Sequence, residues 1–256
     1  MIKSVSLVGA GNLATQLGLA LKKAGIPLKQ VYSRTEKSAR ELGELLECSY
    51  LTELENLKPS DLVIVSVKDD ALPEVLKQIK TDAIVVHTGG SVPMDILAPY
   101  FKQFGVFYPL QTFSKKRNVS FDLIPICLEA SSTAVYAELE ELGQKLSKHV
   151  QAVSSEERKT LHLAAVFTCN FVNHFYHLGD LLLEDKGLDF ELLKPLIQET
   201  AQKVMTLKPK DAQTGPAVRF DESIINKHLN LLSDQPEMQK MYRMVSESIF
   251  HATKKK

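Results

Sequence analysis

The stretch SVSLVGAGNLATQLGLALKKAG, residues 4–25, decides the fold. A short apolar run, Val5-Ser6-Leu7-Val8, meets Gly9-Ala10-Gly11-Asn12-Leu13-Ala14, and beyond it apolar residues recur three and four apart. This is the pattern of a buried strand handing over to an amphipathic helix through glycines. In that context Gly9-x-Gly11-x-x-Ala14 points to a phosphate site. Gly9 permits the tight turn, Gly11 lets backbone approach a pyrophosphate, and Ala14 keeps helix and strand close. The free N–H groups at the helix start, from Asn12 and Leu13 onward, face the anion. A glycine turn that serves packing alone is the competing reading.

Outward from this turn, short β-rich runs alternate with amphipathic stretches up to residue 153. Strands are expected at 5–8, 28–33, 62–67, 83–87, 104–108, 124–128 and 149–153, with helices at 13–24, 37–46, 72–77 and 134–146. Such alternation builds a doubly wound parallel sheet covered by helices, an α/β domain over residues 1–153. From residue 154 the strands stop. Helices are expected at 155–184, starting at Ser154 or Ser155 ahead of Glu156-Glu157, then at 190–208, 221–232 and 236–253. Residues 154–256 therefore read as an all-helical domain.

Composition narrows the partners. Lys plus Arg total 31 and Asp plus Glu total 31, so no overall field draws the chain to nucleic acid or an anionic membrane. Cys48, Cys127 and Cys169 are an odd number without metal spacing, as expected of reduced thiols in the cytoplasm. No apolar run reaches membrane-spanning length, and with a strand expected from residue 5 no signal peptide is expected.

Near the end of the second expected strand, where an NAD site carries an acid, stands Tyr32-Ser33-Arg34-Thr35. A guanidinium flanked by two hydroxyls suits a 2′-phosphate, so the expected cofactor is NADP(H), with Glu36 the residue that argues for NAD(H). A deazaflavin-type cofactor is an alternative the glycine turn does not discriminate. Ser66 and Val67 end the next strand and Lys68 follows it; His87, Thr88 and Gly89 end or follow the one after. These are the strand ends at which open α/β sheets bind ligands, and the residues are expected along the nicotinamide and substrate side. Lys68-Asp69-Asp70 reads equally as a solvated loop and helix cap.

At about 100° per residue, Lys159, His162, Asn170, Asn173 and His177 fall on one stripe of the helix from 155, with His174 at its margin. The other faces are apolar, so this helix is expected to be largely buried, its polar stripe satisfied by a substrate or by a hydrogen-bond network. His174 and His177 sit three apart, yet no third metal ligand stands nearby, and no metal is expected. Arg219, after Gly215-Pro216, is a candidate anchor for a substrate carboxylate or phosphate.

The glycine turn, His87-Thr88-Gly89-Gly90-Ser91, Tyr108-Pro109-Leu110-Gln111-Thr112-Phe113, Leu161-His162-Leu163-Ala164-Ala165-Val166-Phe167 with Asn170, and Thr214-Gly215-Pro216-Ala217-Val218-Arg219 together resemble the NADP oxidoreductases that join a Rossmann-like domain to the helical domain of unknown function 2520. That family is similar to pyrroline-5-carboxylate reductase, 6-phosphogluconate dehydrogenase and the β-hydroxyacid dehydrogenases. The resemblance implies a helical domain of the 6-phosphogluconate dehydrogenase C-terminal type, a homodimer and an active site between the domains. Two positions depart from the pattern. Val166 stands where β-hydroxyacid dehydrogenases carry a catalytic lysine, four residues before Asn170, so their lysine mechanism does not transfer. Phe220 stands where the family usually has glycine between Arg219 and Asp221, which implies a different loop backbone, because Phe enters positive φ at a cost.

On this reading the protein transfers hydride between NADPH and a small anionic carbonyl or imine substrate. His162 is the expected proton donor and His87 its alternative, since imidazole titrates near neutrality. Asn170 would orient the acceptor, with Gln111 or Arg219 holding its far end. The other class of reading is a sensor that binds NADP without turnover, because fold alone does not prove chemistry.

Overall fold

The computed structural model describes residues 1–254. Contacts divide the chain into two compact units, one of Met1–Cys169 and one from Asn170 onward. The division falls inside the helical run, later than residue 153 where the strands end.

The first unit is built on an eight-stranded sheet in the order β3-β2-β1-β4-β5-β6-β7-β8. Its strands are β1 (Val5–Val8), β2 (Leu28–Tyr32), β3 (Ser49–Leu51), β4 (Leu62–Val65), β5 (Ile84–His87), β6 (Phe104–Pro109), β7 (Ile126–Ala130) and β8 (Val150–Ala152). The helices are α1 (Asn12–Lys23), α2 (Glu36–Leu46), α3 (Leu72–Gln78), α4 (Thr133–Leu146) and α5 (Ser155–Ala165). Pairings from β3 to β6 are parallel, and the order reverses at β1, which lies between β2 and β4. Such a reversal opens a crevice at the carboxyl ends of the strands.

Two features depart from the expected sheet. β7 runs antiparallel to β6, and β8 then pairs parallel with β7. The 110–125 connection carries a tight bridge at Ser114 and Arg117 and a one-turn helix at Phe121–Leu123, but no crossover helix to return the chain parallel. The edge strand β3 was not expected, since three half-exposed or exposed residues leave no hydrophobic alternation to read.

Both faces of the sheet are buried. Val5 and Leu7 of β1 join Leu17 and Leu21 of α1, Leu42 of α2 and Leu139 of α4 in one core; Val8, Val63 and Val65 join Leu72 and Leu76 of α3 in the other. Each such side chain contributes about 1.5–3 kcal/mol on removal from water. The polar exception on β1, Ser6, is buried and accepts a hydrogen bond from Gln30 Nε2 at 3.0 Å.

Ser154 starts α5 through a reciprocal cap: its hydroxyl accepts from the Glu157 N–H, and the Glu157 carboxylate accepts from the Ser154 N–H at 2.9 Å. This resolves the choice of start and leaves the Ser155 hydroxyl free for other partners. Beyond α5 the expected continuous helix is interrupted by π-helical turns at Val166–Phe171 before α6 (Val172–Glu184).

The second unit holds α6, α7 (Lys194–Thr206), the short α8 (Pro209–Ala212) and α9 (Pro216–Arg219), then α10 (Glu222–Leu231) and α11 (Pro236–Lys254). Phe220 does enter the left-handed region, at φ 52°, contrary to the expectation of a changed loop. Its ring stacks on Phe250 of α11 with centroids 4.6 Å apart, a contact of the size needed to offset the backbone cost of about 1–2 kcal/mol. The expectation that the polar-striped helix is largely buried fails within this chain. Neither α6 nor α7 has a buried residue, and Phe175, Leu181, Leu182, Leu196 and Met205 are exposed. Among the described residues no helix is long and apolar enough to cross a membrane.

Gly9 carries the turn out of β1. Its φ is +123°, and an added Cβ would lie 2.1 Å from the Ser66 carbonyl oxygen beyond β4. Gly9→Ala is expected to lower unfolding free energy by about 2–5 kcal/mol, read as a fall in the urea midpoint. An unchanged midpoint would refute this close approach.

Candidate functional site

At the reversal of strand order lies a cleft of about 380 Å³. Gly9, Gly11, Asn12 and Leu13 line it from the turn into α1, Ser33 and Arg34 from the end of β2, and Ser66, Val67 and Lys68 from the end of β4. Nine of the residues expected at the cofactor thus share one cavity, together with Ser38 of α2, which sequence reading had passed over. Gly11 caps α1 without a side-chain hydrogen bond, and the first turn carries no acidic residue. A Cβ on Gly11 would meet nothing within 4 Å. The start of α1 therefore presents unsatisfied N–H groups to an open space, the condition for holding an anion.

Arg34 and Lys68 are exposed and, among the described residues, without a hydrogen bond or ion pair. Both cations are free for a ligand. Glu36 sits in the first turn of α2, where a carboxylate has a favourable place near the helix start without any cofactor. Thr35 caps α2 with its backbone and does not line the cleft.

His87, Thr88 and Gly89 lie next along the sheet, away from the cleft lining. The Thr88 N–H donates to the Val65 carbonyl, tying the end of β5 to β4. His87 is 1% exposed; its Nδ1 accepts from the Gly89 N–H at 3.1 Å, which leaves the ring proton on Nε2. That Nε2 is buried and, among the described residues, without a hydrogen-bond partner within 3.5 Å. Burial first, then the Arg158 guanidinium, push the His87 pKa down to about 4, against weaker upward pulls from the Pro93 carbonyl, Asp69 and Glu129. The His87 ring is therefore neutral near pH 7.

His162 has a different setting. It is half-buried on α5, and its Nδ1 lies 3.1 Å from the Tyr108 hydroxyl at the end of β6. Burial raises the Tyr108 pKa to about 12, so the phenol keeps its proton. Gly90 makes room for the pair: a Cβ there would stand 2.6 Å from His162 Nδ1 and 3.0 Å from the Tyr108 hydroxyl.

One turn before His162, Arg158 is 0% exposed and makes a fork of contacts. Its Nε donates to the Gly89 carbonyl at 3.2 Å, one terminal nitrogen to Glu129 Oε2 at 2.5 Å, and the other to the Val92 carbonyl at 2.6 Å. The Ser155 hydroxyl donates to the same Glu129 oxygen at 2.7 Å and accepts from the Met94 N–H at 2.9 Å. Sequence reading missed this network. Its signal was Glu129 within an otherwise apolar strand run and an arginine four residues before His162.

Three candidates remain, Gln111 in the first unit and Asn170 and Arg219 in the second. Gln111 is exposed, and its side-chain oxygen accepts from the Thr112 N–H at 2.8 Å, leaving the amide NH₂ free. Asn170 is exposed within the π-helical turns, whose wider winding breaks the stripe projected at a constant step from Lys159 to His177. Arg219 is exposed and, among the described residues, unpaired at the end of α9. The His174 and His177 rings are 6.3 Å apart, and among the described residues no group of three or more His, Cys, Asp or Glu could hold a metal.

A Rossmann-like domain model matches residues 2–111, and that of domain of unknown function 2520 matches residues 124–249. Over 98% of both chains, the sequence is 49% identical to a solved structure described as "putative NADP oxidoreductase BF3122" from Bacteroides fragilis, with a TM-score of 0.93. The chain belongs to the Rossmann-like/DUF2520 family. Its fold is shared by a reductive aminase from Aspergillus terreus, at 16% identity over 97% of this chain and 93% of that one, TM-score 0.73. It is shared as well by 1-pyrroline-5-carboxylate reductase from Streptococcus pyogenes, at 14% identity over 97% and 98%, TM-score 0.65. A comparison with curated proteins gave no match. The resemblance stated from the DUF2520 motifs therefore holds over nearly the whole chain.

The depressed pKa of His87 has a consequence for stability. The unfolded ring titrates near 6.5 and the folded one near about 4, so the unfolded chain binds more protons in between. The stabilisation is complete above the unfolded value and is lost as pH falls toward 4, amounting to about 3 kcal/mol at full shift. Urea titrations from pH 7 to pH 4 should show a shallower fall in His87→Asn than in wild type; parallel curves would contradict the assignment.

Proposed function

We propose that this member of the family is an NADPH-dependent oxidoreductase that reduces a small carbonyl or imine compound bearing an anionic group. The observation that carries the reading is the cleft at the strand-order reversal, where the uncapped start of α1 and the free Arg34 share one cavity. The helix start suits a pyrophosphate. Arg34, with the Ser33 and Ser38 hydroxyls, suits the 2′-phosphate that distinguishes NADPH from NADH. The 49% identical relative, described as a "putative NADP oxidoreductase", supports the same cofactor.

When bound, the dihydronicotinamide supplies a hydride. The chain's own residues must then supply a proton and hold the acceptor, so that C=O becomes alcohol or C=N becomes amine. His162 is assigned the proton, because its ring is half-buried rather than sealed and one nitrogen is already engaged by Tyr108. His87 is assigned to hold the 87–90 turn through the Gly89 N–H. Asn170 is assigned to orient the acceptor, and Arg219 with the free Gln111 amide to grip its anionic end.

A second copy of the chain is the partner we assign to the exposed apolar residues of α6 and α7, among them Leu181, Leu196 and Met205. Light scattering should report a dimer for the wild type and a monomer for Leu181→Asp/Leu196→Asp; a monomeric wild type would refute the homodimer.

The cofactor is tested by fluorescence titration of the reduced nucleotides, in a chain with no tryptophan. NADPH should bind more tightly than NADH, and Arg34→Ala should weaken NADPH by roughly 10- to 100-fold while leaving NADH nearly unchanged. Equal affinities, or no binding of either, would overturn the proposed cofactor.

A further inference from the structure

We propose that Arg158 is the positioning residue of the site: its buried fork fixes the loop after β5 against α5, so that Tyr108 donates to His162 Nδ1 and the His162 proton stands on Nε2. The inference deepens the proposed role of His162 and rests on it for its functional meaning.

A buried guanidinium is costly unless all its donors are used. Here they reach carbonyls at both ends of a short loop, Gly89 and Val92, as well as the carboxylate of Glu129 on β7. A planar fork fixes distance and orientation at once, which one ammonium cannot do. Gly90 lies between the two anchored carbonyls, and its missing Cβ is the space into which His162 and Tyr108 fit. Arg158 and His162 are four residues apart on α5, hence neighbours on one helix face. The residue that pins the loop therefore also sets the height of the imidazole above it. Ser155, three residues before Arg158, adds the Met94 N–H to the same anchor through its hydroxyl.

The tautomer follows from the partners. The Tyr108 phenol keeps its proton and has no other acceptor among the described residues, so it donates to His162 Nδ1. A neutral imidazole that accepts at Nδ1 carries its proton at Nε2. This leaves Nε2–H as the ring's outward hydrogen-bond donor to an acceptor, without a ring flip, whereas transfer of a proton from the ring requires its doubly protonated form.

A network with only a folding role would be replaceable by apolar groups of similar volume, whereas a positioning role requires the fork itself. The test is ¹⁵N NMR of the histidine rings in the full-length protein without added nucleotide, in wild type, Arg158→Lys and Arg158→Met/Glu129→Gln. The double variant removes both charges together and leaves no buried ion unpaired. The expected result is a single Nε2–H tautomer for His162 in wild type, and a loss of that tautomeric preference in both variants while the protein remains folded. A variant that folds and keeps the wild-type tautomer would overturn the proposal, as would a wild type with the proton on Nδ1. Unfolding of both variants would assign the network to folding and overturn it equally. Because the readout needs neither cofactor nor substrate, its failure is distinct from a failure to bind NADPH.

Discussion

The contact between Gly9 and the Ser66 carbonyl is the constraint on which the site depends. Two adjacent parallel strands, β1 and β4, end side by side, and the chain leaving β1 must turn at once into α1. Only a residue without Cβ passes the neighbouring carbonyl at a φ of +123°. Because the turn is this tight, α1 begins at the sheet edge, and its unsatisfied N–H groups face the crevice made by the reversal of strand order. The proposed phosphate site is thus a by-product of how closely strand and helix must pack.

A second constraint sits farther along the same sheet edge. The loop after β5 is held by the buried Arg158 at Gly89 and Val92, while the His87 ring beneath it accepts from the Gly89 N–H. One charge serves two histidines in opposite senses. It helps hold the His87 pKa near 4, which keeps that ring neutral, and it anchors the surface on which His162 meets Tyr108. Two imidazoles of the same intrinsic chemistry are given different surroundings by burial and partners.

Much of this was legible in the sequence, for physical reasons that also explain the rest. Buried parallel strands read as β-branched runs, so β1, β4 and β5 were clear, and the Gly9-x-Gly11 turn with Arg34 named the contents of the cleft. The edge strand β3 was not legible, because its three residues bury too little to leave a pattern. The direction of β7 depends on what lies in the preceding connection, not on the strand's own residues. The polar stripe failed for another reason: the turns at Val166–Phe171 change the winding, and hydrogen-bond spacing leaves no mark in composition. Arg158 and Glu129 were not singled out, since which charged residue of an amphipathic helix is buried becomes visible only once its partner strand is placed.

The central claim is that the crevice at the ends of β1, β2 and β4 holds a dinucleotide. Amide hydrogen exchange of the full-length chain with and without saturating NADP⁺ tests it most directly. The account predicts slowed exchange concentrated at residues 9–14, 32–34 and 66–68. Unchanged exchange in these three segments, or protection confined to another part of the chain, would contradict it.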